Sequence, residues 1–286
     1  QGAEYPGRGA GGLIGGKTGM ALRSLLLLVL AIAVPATAGE DPQRVAIAII
    51  IDDLGNNLEL ARWAVELPGA LTYSVLPQRP HSAAVAQLAH RSGKEVMLHL
   101  PMQAAERHGL GPGAVVEGMD REAVTRAVQA GLEAVPHVAG VNNHMGSLLT
   151  RQPDAMRWVM EALHCAGDLY FVDSRTDVRT VARQWARRTG LPNAQRDVFL
   201  DNEINADYVA SQFDKLIRRA RQRGSAIGIG HPHPQTLATL AERLPRLAAD
   251  GVELVPVSQL VEQRRTAPEW LACSYPLQTA AKNSKP

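Results

Sequence analysis

Residues 45–55 read VAIAIIIDDLG, in which an unbroken apolar run ends directly at two adjacent carboxylates. A continuous apolar run of this length, rich in β-branched residues, is typical of a strand covered on both faces of a parallel sheet. Charged side chains are seldom buried without a metal or a cation as partner. The stretch therefore predicts a parallel strand whose carboxyl end places Asp52 and Asp53 at a functional site.

Six more apolar runs follow along the chain, and segments with helical periodicity separate them. Together with the first run, the predicted strands are residues 45–51, 71–76, 95–100, 169–172, 198–200, 226–229 and 252–257. One predicted helix begins after a cap at Asp120, and a second covers residues 155–165 after a cap at Asp154. Two more are predicted over residues 205–223 and 236–249. This alternation predicts an α/β fold, a distorted (β/α) barrel of about seven strands over residues 45–261. A doubly wound open sheet is the alternative.

The composition is that of a globular protein, 45% hydrophobic and 20% charged, and 286 residues allow one large domain or two small ones. A net charge of +2 and an aromatic content of 4% give no support for a nucleic-acid partner. Neither a Gly-x-Gly-x-x-Gly after the first strand nor a Walker A pattern occurs in the sequence, so nucleotide binding has no support either.

The first 38 residues have the pattern of a targeting segment. Met20 is followed by one arginine, an apolar run at 24–34, and Pro-Ala-Thr-Ala at 35–38. This pattern predicts a signal peptide over residues 20–38 and a periplasmic or exported protein. An uncleaved anchor is the alternative, although the run is short for a membrane span, and no stable span is expected after cleavage.

Both ends of the chain are excluded from the predicted fold. Residues 1–19 are an upstream Gly-rich segment, and residues 266–286 are predicted to be a disordered tail. The sequence contains two cysteines, Cys165 and Cys273. A bridge between them is conceivable, but a buried Cys165 and an unpaired Cys273 are favoured.

Three later strands also end at histidine or aspartate. The apolar runs that begin at residues 95, 169 and 226 reach His99, Asp173 and His231 at their carboxyl ends. Because the carboxyl ends of parallel strands meet at one edge, we expect these side chains to lie near the aspartate pair.

Asp53, His99 and His144 form a plausible set of metal ligands. One carboxylate and two imidazoles suit Zn²⁺ with an open position for water. His144 lies in the segment Asn142-Asn143-His144, which is predicted as a polar loop that binds a ligand. The structural alternatives are a helix cap at Asp53, a core histidine at His99 and a simple polar turn around His144.

The sequence His-Pro-His-Pro at 231–234 holds the backbone extended and can present an imidazole to a cleft. Function is favoured for His231, and His233 is a weaker candidate, against the alternative of a turn before the next helix. Asp173 and Asp201 could orient a ligand histidine or could cap the helices that follow them.

These motifs, in this order, resemble those of the polysaccharide deacetylases, specifically their divergent bacterial branch, over residues 45–261. The sequence IIDDLG at 50–55 resembles the aspartate-pair motif, which implies Asp52 as the catalytic base and Asp53 as a metal ligand. LTYSVL at 71–76 resembles the second strand of the family. The resemblance of KEVMLH at 94–99 implies His99 as a ligand, and His231 falls where the family has a histidine that assists the leaving group.

The chain departs from the family at two points. The second metal histidine usually follows the first within a few residues, where this chain has Pro101, Met102 and Gln103. The family's Arg-Pro-Pro-Tyr loop is replaced by Asn142-Asn143-His144-Met145. The hypothesis is that His144 supplies the missing imidazole.

Together with the signal-peptide pattern, the resemblance implies an exported hydrolase that uses a divalent metal, zinc by preference, to deacetylate envelope carbohydrate or another acetylated substrate. Asp52 would act as general base and His231 as the acid. Weaker candidates for substrate or outer-shell contacts are Asn142, Asn143, Asp173, Asp201 and His233. The alternative is a catalytically inactive glycan- or envelope-binding protein on the same barrel, while the lack of a paired-metal ligand set counts against a phosphoesterase.

Overall fold

The computed structural model describes residues 45–106 and 109–265. The predicted signal peptide at 20–38 and the predicted tail at 266–286 lie outside the described residues. Among the helices of the described ranges, none combines the length and the apolar character that a membrane span requires.

In the part of the chain that the structure describes, nine parallel strands form one sheet, and helices follow most of them. The strands are β1 Val45–Leu54, β2 Thr72–Val75, β3 Glu95–Met102, β4 Val138–Met145, β5 Tyr170–Asp173, β6 Asn193–Gln195, β7 Val198–Phe199, β8 Ser225–Gly230 and β9 Val252–Leu254. Their spatial order is β6-β5-β4-β3-β2-β1-β8-β7, and β9 pairs with the start of β1. This curled sheet confirms the distorted (β/α) barrel, with β4 and β6 added to the seven predicted strands.

The helices predicted after Asp120 and over 155–165 and 205–223 agree with the structure within about two residues, whereas the helix predicted over 236–249 ends at Arg243. They are α1 Leu58–Glu66, α2 Ser82–Arg91, α3 Arg121–Ala134, α4 Pro153–Ala166, α5 Ala182–Arg188, α6 Ala206–Arg223, α7 Pro234–Arg243 and α8 Val257–Gln263. Asp120 caps α3 by accepting a hydrogen bond from the backbone N–H of Ala123 at 2.8 Å. The cap predicted at Asp154 is wrong, because Pro153 already occupies the first turn and Asp154 lies inside the helix.

Strand β1 is buried on both faces. Ile47, Ile49 and Ile51 pack in the larger core against the helices, while Ala48 and Ile50 belong to a second cluster, formed with residues of other strands and of α8. Because side chains alternate along a strand, the even-numbered residues of β1 face this second cluster, which fills the interior of the curled sheet.

The polar segment around His144 was predicted as a loop, and that prediction is wrong. Asn142 and Asn143 lie in β4, and their exposed fractions are only 0% and 1%. Asparagine is disfavoured in a buried strand when its amide lacks partners, but here both amides are hydrogen-bonded to other protein groups. Because both amides have hydrogen-bond partners, this polar segment can form the buried strand β4.

Cys165 also differs from its predicted state. It lies near the end of α4, half-buried, and it is disulfide-bonded. The expectation of a buried free thiol at this position was therefore wrong. Cys273 lies outside the described residues.

Candidate active site at the carboxyl ends of the strands

Strand alternation brings four side chains together at one end of the barrel interior. Asp52 continues the even-numbered, inward-facing series of β1, and His99 follows the inward-facing Met97 of β3 by two residues. Asn142 of β4 is in register with His99. His231 continues the inward series of β8 just after its last residue.

Asp53 reaches the same place through an irregular backbone. Its φ is 58°, in the left-handed region that few non-glycine residues adopt, and the pairing of β1 with β2 shifts register between Ile51 and Leu54. This break in the alternation lets two consecutive aspartates serve one site. The helix cap considered for Asp53 is supplied instead by Asn57, whose Oδ1 accepts from two backbone N–H groups of α1.

Asp53, His99 and His144 form a triangle of potential ligand atoms. Asp53 Oδ1 lies 3.1 Å from His99 Nε2 and 2.8 Å from His144 Nδ1, and the two nitrogens are 3.2 Å apart. Zinc binds such atoms at about 2.1 Å, which separates neighbouring ligands by about 3.0–3.4 Å in octahedral or tetrahedral geometry. The three atoms are therefore close to the spacing that one ion requires.

Asn142 fixes which nitrogen of His99 carries the proton. The amide oxygen of Asn142 lies 2.7 Å from His99 Nδ1 and accepts a hydrogen bond from Ser74 Oγ at 2.6 Å. Its amide nitrogen donates to Asp52 Oδ1 at 2.8 Å, which sets the orientation of the amide. A neutral His99 therefore carries its proton on Nδ1 and turns the lone pair of Nε2 towards Asp53.

The same triangle contains an unsatisfied buried atom. Within the described residues, Asp53 Oδ1 is buried and has no hydrogen bond of good geometry, although two imidazole nitrogens lie beside it. Burial would raise the pKa of Asp53, but His144 and His99 hold it below its usual value. One carboxylate oxygen and two imidazole nitrogens that converge in this way are a donor set that a divalent metal fits.

Asp52 lies next to the triangle but outside it. Its carboxylate accepts the hydrogen bond from Asn142, and its Oδ2 lies 3.7 Å from His99 Nε2. Burial raises the pKa of Asp52, partly offset by the charges of His99 and His231. A carboxylate with a raised pKa is a stronger proton acceptor than an exposed one.

His231 is held by Asp201 and faces the second carboxylate oxygen of Asp53. Asp201 Oδ1 lies 2.9 Å from His231 Nδ1, and Asp201 Oδ2 accepts from the His231 backbone N–H and from Thr236 Oγ1. This leaves His231 Nε2 facing the site, 3.8 Å from Asp53 Oδ2. Burial alone would lower the pKa of His231, but Asp201 raises it to about 9.

Asn143 and Asp173, two of the weaker candidates from the sequence, form hydrogen bonds to the segments around the site. Asn143 accepts from the Ser174 backbone N–H and donates to the Met145 carbonyl, so it ties β4 to the segment after β5. Asp173 accepts from the Arg175 backbone N–H and from Thr180, which closes the turn after β5. In the contacts that the structure records, Asn143 and Asp173 therefore stabilise the backbone segments that surround the site.

His233 stands at the start of α7, and its ring centroid is 5.8 Å from that of His231. Asp201, His231 and His233 make a second group with ligating atoms within 4.8 Å of one another. The carboxylate oxygens of Asp201 already accept three hydrogen bonds from neighbouring groups, so this group fits a hydrogen-bonded support for His231 better than an ion site.

Sequence reasoning missed Ser74, Thr236 and Arg196. Ser74 alternates with apolar residues in the run at 71–76, and this alternation could have indicated a polar side chain facing the interior. Arg196 carries a charge that acts on Asp52, yet it lies in a short connection with no pattern of its own. No local signal in the sequence distinguished Arg196 from a surface arginine.

Comparison with known proteins confirms the family resemblance. A family model described as divergent polysaccharide deacetylase matches residues 49–261. The uncharacterized protein YibQ of Escherichia coli (strain K12) is 37% identical over 235 residues, which cover 82% of this chain and 71% of YibQ. An uncharacterized protein of Haemophilus influenzae (strain ATCC 51907 / DSM 11121 / KW20 / Rd) is 34% identical over 222 residues, 78% of this chain and 79% of that protein.

A solved structure supports the fold. The uncharacterized protein ATU2773 of Agrobacterium tumefaciens C58 superposes with a TM-score of 0.72 at 24% identity. The match covers 75% of this chain and 88% of the other. At this identity the likeness concerns the fold.

Proposed function

This chain belongs to the divergent polysaccharide deacetylase family, and on that premise we propose that it is an exported metal-dependent hydrolase. Its proposed substrate is an acetylated carbohydrate of the cell envelope. The observation that carries the proposal is the convergence of Asp53, His99 and His144 beside Asp52 and His231. A metal triangle flanked by a base and an acid is the arrangement that hydrolysis of an acetyl group needs.

The proposed ion is Zn²⁺, held by Asp53, His99 and His144. When bound, a divalent ion of this kind polarises a carbonyl oxygen and lowers the pKa of a water molecule. Asn142 supports it by holding His99 in the tautomer that presents Nε2. Mutation of a residue that orients a metal ligand in this way typically lowers metal affinity or activity by about 10- to 100-fold.

Asp52 and His231 divide the proton transfers between them. Asp52, buried and with a raised pKa, accepts the proton of the attacking water as general base. His231, kept protonated by Asp201, donates a proton to the departing amine or hydroxyl. Asp52 Oδ2 lies 3.7 Å from His99 Nε2, and His231 Nε2 lies 3.8 Å from Asp53 Oδ2, so both groups stand next to residues of the triangle.

The proposed activity can be tested with zinc-loaded protein. Purified protein is incubated with acetylated chitooligosaccharides and with peptidoglycan, and released acetate and newly formed amines are measured. The proposal expects acetate release that stops when a chelator removes the metal and returns when zinc is restored. Metal binding without turnover on any acetylated substrate would instead favour the glycan- or envelope-binding alternative.

Replacing Asp201 with Asn tests the role of His231. We expect activity to fall by about 10- to 100-fold, because the imidazole loses the partner that orients it. A general acid must be protonated, so activity falls as pH rises through its pKa. Without the Asp201 charge this pKa drops below about 9, and the alkaline limb of the pH–rate profile moves to lower pH.

The matched control for this variant is Asp173→Asn, which changes a buried carboxylate at another strand end. The control is expected to keep the alkaline limb in place. An unshifted limb in Asp201→Asn would contradict the assignment of His231 as the acid.

Export is the second element of the proposal. The pattern at residues 20–38 supports it, and so does the disulfide bond of Cys165, because disulfides persist mainly in oxidising compartments. Fractionation of cells and mass analysis of the mature amino terminus test this element. Protein confined to the cytosol with residues 20–38 intact would contradict it.

A further inference from the structure

A groove lined by cations lies beside the proposed active site. It encloses about 530 Å³ between the turn after β5, strand β7 and helix α6. We refer to it as the basic groove, and its four cations are Arg175, Arg196, Lys215 and Arg219.

None of these four cations is paired with a carboxylate in residues 45–106 and 109–265. Asp197 also lines the groove, but its carboxylate accepts from the Ile227 backbone N–H at 2.9 Å and pairs with Arg223 and Arg264. Neither Arg223 nor Arg264 lines the groove. Asp197 is therefore shared with two arginines outside the basic groove, and within the described part of the chain the charges of Asp173 and Asp52 act on Arg196 without forming an ion pair with it.

Hydrogen bonds to backbone carbonyls hold two of the guanidinium groups in place. Arg196 donates to the carbonyls of Ser174 at 2.7 Å and Arg175 at 2.9 Å, and Arg219 donates to that of Asp197 at 2.8 Å. Each guanidinium has five N–H donors, so most remain available to an anion. Burial and the charges of Arg175 and Arg219 lower the pKa of Arg196, while the carboxylates of Asp173 and Asp52 raise it.

The basic groove extends to the catalytic histidine through one aromatic ring. Arg196 lies 4.9 Å from the ring centroid of Phe199, which lines the groove, and the Phe199 ring centroid is 5.3 Å from that of His231. A molecule in the groove would therefore be a near neighbour of the group that faces the leaving atom. The groove also presents Asn202, Tyr208 and Gln212, whose polar groups can bind sugar hydroxyls.

We propose that the basic groove is a substrate subsite that binds an oxyanion, a carboxylate or a phosphate, on the sugar next to the acetylated one. Arginine recognises both anions through paired N–H donors, and Lys215 adds a charge at the exposed side. The inference rests on the proposed deacetylase function and narrows its substrate to an acidic acetylated glycan.

Binding is measured on an Asp52→Asn protein, so that turnover is not needed for the readout. The probes are a tetrasaccharide of alternating N-acetylglucosamine and N-acetylmuramic acid, its carboxyl methyl ester, and an N-acetylglucosamine disaccharide with or without a 6-phosphate. We expect at least about fivefold tighter binding of an acid than of its uncharged match at low salt, with the difference shrinking as salt screens the charges. The preferred pair of probes identifies carboxylate or phosphate as the anion.

The variant that tests the groove is Arg175→Gln combined with Lys215→Gln, since neither side chain makes a recorded hydrogen bond in the described residues. Arg218→Gln, an exposed change on the same helix outside the groove, is the matched control. The double variant is expected to bind acid and uncharged probe alike, and the control to keep the preference. Equal binding of both probes by the parent protein, or a preference that survives in the double variant, would overturn the proposal.

The readouts separate this proposal from the proposed function. A charge preference that the double variant abolishes, found in a protein whose unsubstituted form never releases acetate, would keep the subsite and remove the deacetylase. Acetate release with no charge preference would keep the deacetylase and remove the subsite.

Discussion

Replacing Asp52 with Asn is expected to lower turnover by about 100- to 10,000-fold, the usual contribution of a general base. The substitution keeps the size of the side chain, and the amide oxygen that it introduces can still accept the hydrogen bond that Asn142 gives to Asp52. Asp52 lies outside the triangle of Asp53, His99 and His144, so the zinc stoichiometry should stay unchanged. Acetate release and metal content are measured on the same preparation.

An Asp168→Asn variant serves as the control, because Asp168 is an exposed carboxylate between α4 and the amino end of β5, whereas the site lies at the carboxyl ends of the strands. It should retain full activity. Full turnover in Asp52→Asn would contradict the role of Asp52 as the base. Loss of metal together with turnover would show that Asp52 supports the ion itself.

Replacing His144 with Ala is expected to weaken zinc binding by more than about 100-fold, since losing even an outer-shell partner costs about 10- to 100-fold. His144 Nδ1 is one corner of the triangle, 2.8 Å from Asp53 Oδ1. Activity at limiting zinc should fall with occupancy, and excess zinc should restore part of it. Zinc affinity is measured by competition with a chromogenic chelator.

His90→Ala is the matched control for His144→Ala. His90 is exposed on α2 and stacks on His137, and neither belongs to the site. The control should bind zinc as the parent protein does. Unaltered zinc affinity in His144→Ala would refute the hypothesis that this residue replaces the family's second metal histidine.

Most of the fold could be predicted because its central strands carry strong patterns. The run at 45–51 is apolar on both faces, and the structure buries both of them. In β4, Asn142 and Asn143 interrupt the apolar run that would have predicted a strand. Their burial depends on hydrogen-bond partners from three other strands and the turn after β5. A pattern within one segment cannot reveal such partners, so β4 was mistaken for a loop.

The candidate site divides in the same way. Asp52, Asp53, His99 and His231 stand where apolar runs end, and that position alone singled them out. The left-handed backbone of Asp53 and the Asn142 link between Asp52 and His99 arise from strand register, which the sequence does not display. The support of His231 by Asp201 could be named only as one of two alternatives, since an aspartate after a strand can equally cap a helix.

The ion itself gives the most direct test of the account. Crystals of the zinc-loaded protein, measured at the zinc absorption edge, should show one anomalous peak per chain bonded to Asp53 Oδ1, His99 Nε2 and His144 Nδ1. Metal analysis of the same protein should give one zinc per chain. A protein that binds no zinc, or a peak bonded to other residues while these three stay free, would contradict the account.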